Sequence, residues 1–297
     1  MRSSKRLFPR MGVAALSLLA GLFAVPASAL ELAPFKDELF GYPAVLSRED
    51  GDRFQTVDYS EARDIDRRDE VPERRVRANY VALGVRREQA DLKLRTDAGE
   101  IRHVAVGRRE GASLIVVYLH GQGGSRRQGA DDFTFGGNFN RIKNLVAEAG
   151  GLYLSPDFPD FGQGGARVVA SLIRHYAAQS PSARVFVACG SAGGGVCYGL
   201  AQDSDLAPKL GGLLLLGSHW DDAFLKSAAF GRRVPVFFGQ GSRDRVFPLA
   251  SQAAFFRSIL KAAPDYPARF VAFEGGTHGT PIRMTDWRET LNWMLAQ

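Results

Sequence analysis

Residues 183–200 constrain this chain more than any other stretch. An apolar, β-branched run, Arg184-Val-Phe-Val-Ala-Cys189, stops at Gly190-Ser191-Ala192-Gly193, and a helix-compatible segment follows without a linker. A serine in so tight a strand-to-helix corner needs small flanking residues, because bulk on either side would clash with the strained backbone. Such a corner presents the hydroxyl beyond the sheet edge and aims the N–H groups of the next helix at the same space. Ser191 is therefore a candidate nucleophile. The pattern departs from G-x-S-x-G at one point, since Cys189 stands where the first glycine is expected. A glycine-rich turn that merely joins strand to helix is the competing reading of this stretch alone.

Two further loops bear on that choice. The apolar run Val234-Pro-Val-Phe-Phe-Gly239 reads as a buried strand and leads into Gln240-Gly-Ser-Arg-Asp244. An aspartate there can orient an imidazole and stabilise its protonated form. Arg269-Phe-Val-Ala-Phe273 reads as another strand, followed by Glu274-Gly-Gly-Thr-His278-Gly279, whose glycines let the loop fold back towards Ser191. Taken singly, Asp244 is a solvated loop carboxylate and His278 a turn histidine. Together they give the order Ser191, Asp244, His278, each just after a predicted strand. Upstream, residues 113–119 form a strong strand signal running into His120-Gly-Gln-Gly-Gly-Ser125. A glycine-rich turn there leaves main-chain N–H groups free for a developing oxyanion. His120 itself reads as a support for that loop.

With these elements in place, residues 90–297 resemble the α/β-hydrolases, and within them the serine esterases and lipases. Residues 151–165, a strand followed by a Pro/Gly-rich bend, match the same pattern. The resemblance implies a mainly parallel sheet with helices on both faces and an N-terminal antiparallel hairpin. It implies Ser191, Asp244 and His278 as a triad, with the N–H groups of Gln122 and Ala192 as oxyanion donors. Asp221 and Asp222, after the strand predicted at 212–216, are reserve candidates for the triad acid. Trp220 and Phe224 are candidate apolar walls of a fairly open site, alongside Phe230; packing of a small helix is the plainer reading of these aromatics. The activity implied is hydrolysis of a carboxylic ester, with a small-molecule or lipid-like substrate and no cofactor or metal. A peptidase or amidase with the same triad, and a non-catalytic binding protein on the same fold, are the alternatives.

The rest of the chain sets the frame. Residues 1–10 carry Arg2, Lys5, Arg6 and Arg10 without an acid, residues 11–25 are apolar, and Ala27-Ser28-Ala29 fits a small-residue cleavage site. Residues 1–29 thus read as a secretory signal, with a mature start near Leu30 and a periplasmic or secreted destination. The chain holds 38 basic and 32 acidic residues; setting aside those four bases leaves a net charge of +2, which makes no case for nucleic acid. Residues 30–89 are a polar extension without a legible fold, with an edge strand expected at 76–83. The arginines from Arg63 to Arg87 alternate with acids and read as a solvated, self-compensating surface. Residues 91–96 and 101–106 read as the hairpin that opens the sheet, which places His103 at the surface. Helices are expected near 140–149 and 166–179, the latter with His175 in a packing or surface role. Cys189 and Cys197 read as two buried free thiols, because a helix packed about 10 Å from a strand is beyond disulfide reach.

Overall fold

A computed structural model describes residues 30–297, so the expected signal at 1–29 lies outside the described residues. Among the described residues twelve strands form: β1 (Val45–Glu49), β2 (Phe54–Asp58), β3 (Asp69–Val71), β4 (Arg75–Val76), β5 (Gln89–Thr96), β6 (Gly99–Gly107), β7 (Leu114–Leu119), β8 (Leu152–Pro156), β9 (Arg184–Gly190), β10 (Leu210–Leu216), β11 (Val236–Gly241) and β12 (Ala268–Glu274). Ten build one sheet in the order β1-β2-β12-β11-β10-β9-β7-β8-β6-β5, and β3 pairs with β4 apart from it. From β2 to β8 every neighbouring pair is parallel; β1, β6 and β5 run antiparallel to their neighbours.

The long helices are α3 (Asn138–Glu148), α4 (Gln163–Gln179), α5 (Gly194–Gln202), α7 (Leu249–Ala262) and α9 (Trp287–Leu295). Short ones are α1 (Asp37–Phe40), α2 (Arg126–Ala130), α6 (Ala228–Gly231) and α8 (Thr280–Met284). Among the described residues no helix is long and apolar enough to cross a membrane. The strands are continuous apolar runs because both sheet faces are covered. Alternate residues serve opposite cores: Ile115, Val117, Leu119, Val187 and Cys189 join α4, α5 and α7, while Leu114, Val116, Tyr118, Phe186 and Ala188 join α3 and α9. Parallel strands then deliver the loops after β7, β9, β11 and β12 to one edge, where a site can be assembled.

One stretch left open by the sequence is resolved and three expectations are corrected by this arrangement. The extension at 30–89 is part of the sheet: β1 and β2 form a hairpin, and β2 pairs in parallel with β12. Residues 76–83 are not an edge strand; after the two-residue β4 they make 3₁₀ turns at Ala78–Tyr80 and Leu83–Glu88. The arginine-rich stretch is not uniformly solvated. Arg68 and Asp69 are buried, Asp69 grips Arg283 in two bonds of 2.7 and 3.0 Å, and Arg68 donates to the Gly136 carbonyl between the rings of Phe40 and Tyr80. Burial, with the Arg283 cation nearby, pulls Arg68 down to about 10. Finally, His103 is 1 % exposed, because β5 flanks β6 on its outer side and Tyr176 of α4 covers that face, its hydroxyl 2.7 Å from Nε2.

Two outcomes follow. Asp69→Asn strands the buried Arg283 cation and should cost about 3–5 kcal/mol in urea unfolding; an unchanged midpoint would show the pair to be dispensable. Burial also holds the His103 imidazole below its usual range, and His219 shares the direction. Stability is then full above the unfolded-state value of about 6.5 and is lost as pH falls through the lower folded value. His103→Gln should therefore flatten, without abolishing, the decline in melting temperature on the acid side of pH 6.5.

Candidate functional site

Ser191 follows β9 at φ +52°, a left-handed conformation that costs a residue with a side chain roughly 1–2 kcal/mol. Close packing around the corner holds it there. A Cβ on Gly121 would lie 2.7 Å from the Ser191 Cβ, so only glycine lets the loop after β7 approach so closely. Below, Ser218 donates from Oγ to the Ser191 carbonyl at 2.9 Å, and buried Gln252 of α7 donates to the Ser218 carbonyl. Gly217, at φ +56°, has no room for a Cβ, which would stand 2.7 Å from the His278 carbonyl. The end of β10 is thus a spacer between the serine and histidine loops.

His278 lies 2.8 Å from Ser191 through Nε2 and 2.8 Å from Asp244 Oδ2 through Nδ1. An ionised carboxylate only accepts, so Nδ1 carries the hydrogen and Nε2 accepts from the serine hydroxyl. The Asp244 side chain is fully buried, with Oδ1 accepting from the N–H groups of Val246 and Phe247 and Oδ2 also from Gln240. Burial alone would raise its pKa, but the hydrogen bonds from His278, Phe247 and Val246 win and hold it below the ordinary carboxylate range. The aspartate is therefore ionised at neutral pH, the state that can stabilise a protonated His278.

The loop after β7 turns at Gly121–Gly124, with the Gly124 N–H on the Gly121 carbonyl and Gly123 at φ +74°. Among the described residues no main-chain acceptor takes the N–H of Gln122 or Ala192. His120 bonds through Nδ1 to the Gly121 carbonyl and stacks on Phe158 at 4.3 Å, which places it in support of this turn.

Other expected residues fall elsewhere. Asp221 caps a 3₁₀ turn by accepting from the Ala223 N–H at 2.8 Å, so it and Asp222, which follows it into that turn, leave the histidine to Asp244. Phe224 is 1 % exposed inside an aromatic cluster with Tyr198, Phe230, Phe255 and Tyr266; it is core, because the turn packs inward. Trp220 is exposed on a surface groove with Asp222, Ser251 and Phe255, a groove that none of Ser191, Asp244 and His278 lines. The aromatic flank of the site comes instead from Phe247, 5.6 Å from the His278 ring, and His219 beyond it. No sequence signal marked Phe247, Ser218 or Gln252, whose roles exist only through tertiary contact.

Cys189 and Cys197 are joined, with Cα atoms 6.4 Å apart, in place of the two free thiols expected. The expected 10 Å spacing holds for helices padded by full side chains. Here β9 alternation turns Cys189 towards α5, and the glycines at 193–195 draw the helix onto the strand ends. The non-glycine at 189 thus has a partner.

The sheet order and the placement of the three loops define the α/β-hydrolase fold. Solved structures with the same fold include an esterase from Pyrococcus furiosus (TM-score 0.53, 16 % identity, 76 % of this chain and 98 % of that one). A thermostable esterase aligns at TM-score 0.57 and 13 % identity over 72 % of this chain and 64 % of its own. A serine hydrolase without a lid from Xanthomonas campestris aligns at 0.51 and 16 %, over 70 % and 94 %. No family model matches the sequence, and no curated protein does.

The disulfide gives a direct test. A loop of this size restricts the unfolded chain by about 2–3 kcal/mol. Replacing both cysteines by alanine should lower unfolding stability by that amount, and the unreduced, denatured protein should release no thiol to Ellman's reagent. Two titrated thiols would contradict the bond.

Proposed function

We propose that this protein is an exported serine hydrolase that cleaves carboxylic esters through an acyl-enzyme on Ser191. The observation that carries the reading is the continuous hydrogen-bond chain from Ser191 through His278 to Asp244, built on three loops far apart in sequence. Ser191 Oγ attacks the acyl carbon as its proton passes to His278 Nε2. The carbonyl oxygen gains negative charge and is received by the N–H groups of Ala192 and Gln122. Collapse of the adduct expels the alcohol, which takes the proton from His278. A water then gives a proton to Nε2 and attacks the acyl-enzyme; as the acid leaves, that proton passes from Nε2 to Ser191 Oγ and restores the serine. Through both halves Asp244 stays ionised and holds the imidazole in one tautomer.

Esterases among the solved neighbours favour an ester over an amide substrate. Export rests on the signal-like residues 1–29 and fits the Cys189–Cys197 bond, which persists in oxidising compartments.

Purified protein should label at Ser191 with a fluorophosphonate and hydrolyse short-chain nitrophenyl esters. Ser191→Ala should lower turnover by roughly a million-fold if the triad acts as a unit. Unchanged turnover in that variant would refute the assignment. A substrate panel favouring peptides or amides would move it to that reaction, and absence of both labelling and hydrolysis would favour a binding protein.

A further inference from the structure

Beside His278 lies a cavity of about 230 Å³ whose walls come from two distant parts of the chain. Thr277, Gly279 and Thr280, either side of the histidine, form one wall; Tyr59 and Glu73 from the N-terminal segment and Phe135 form the other. The histidine loop approaches Phe135 closely, since a Cβ on Gly279 would lie 3.6 Å from that ring. Glu73 and Phe135 both hold positive φ, +59° and +48°, conformations that side-chain-bearing residues seldom adopt. The two charges lining the cavity differ in kind. Arg283 is buried and committed to Asp69, whereas Glu73 is exposed and, among the described residues, has no ion-pair partner.

Resting on the hydrolase reading, the chemistry says what belongs there. His278 must hand its proton to the departing oxygen, so the leaving group stands against the histidine loop, apart from the oxyanion donors at Ala192 and Gln122. The cavity adjoins that loop, lined by the residues on either side of His278. Its walls offer hydroxyls, two aromatic rings and one uncommitted carboxylate, which together suit a compact cation. We propose that this cavity is the leaving-group subsite, and that Glu73 selects esters whose alcohol carries a positively charged amine or quaternary ammonium.

The test compares two butyrate esters of the same shape, one of 2-(trimethylammonio)ethanol and one of its uncharged isostere 3,3-dimethylbutanol. The wild-type protein should favour the cationic ester in kcat/KM by about tenfold, the scale of one partly solvated charge. Glu73→Gln should bring the ratio near unity and Glu73→Lys should invert it. The neutral ester, read in the same variants, separates charge recognition from general damage. Equal ratios in wild type and Glu73→Gln, with Ser191 still labelled by fluorophosphonate, would overturn the subsite and leave the hydrolase reading standing. No labelling and no cleavage of either ester by the wild type would bring down both.

Discussion

Everything at the functional edge depends on how closely three backbones approach around Ser191. Gly121 leaves no gap between the loop after β7 and the serine, Gly217 leaves none between the end of β10 and the histidine loop, and the glycines at 193–195 seat α5 on the strand ends. Contacts this tight permit a left-handed serine that would otherwise relax. The two 2.8 Å hydrogen bonds to His278 are consequences of that packing.

The same constraint explains the disulfide. Proximity that no side chain pads brings Cys189 and Cys197 within bonding reach across the corner. The bond ties the strand residue two before Ser191 to the second turn of the helix that follows it. Ser218 and Gln252 brace the serine from below, and Gln240 braces Asp244. The site is thus held by hydrogen bonds and covalent chemistry on elements that are themselves core.

Much of this was legible in the sequence because the strands that carry the site are buried on both faces and read as apolar runs. Ser191, Asp244 and His278 each follow such a run, so their loops could be located without coordinates. What escaped were features whose signal is local but faint or wholly tertiary. The hairpin β1–β2 has an exposed first strand and few apolar residues, and its Asp50-Gly51 turn was the one readable clue. His103 was misplaced because burial there is supplied by Tyr176, seventy-three positions away. The cysteine pair was misjudged because a general packing distance was applied where glycine had abolished it. Phe224 and Trp220 were placed by proximity in sequence, which says nothing about the side a short turn faces.

The pairing of β2 with β12 joins segments separated by more than two-thirds of the chain. The main chain at Leu32 bonds to Asn292 and Arg288, and Asp37 to Arg288. Early and late residues therefore close the molecule like a clasp. A growing polypeptide lacks the strand against which its first hairpin must lie, and such distant closures are slow to form. The sheet cannot be completed until β12 has been made, and the histidine, which follows β12 directly, is seated only with that strand.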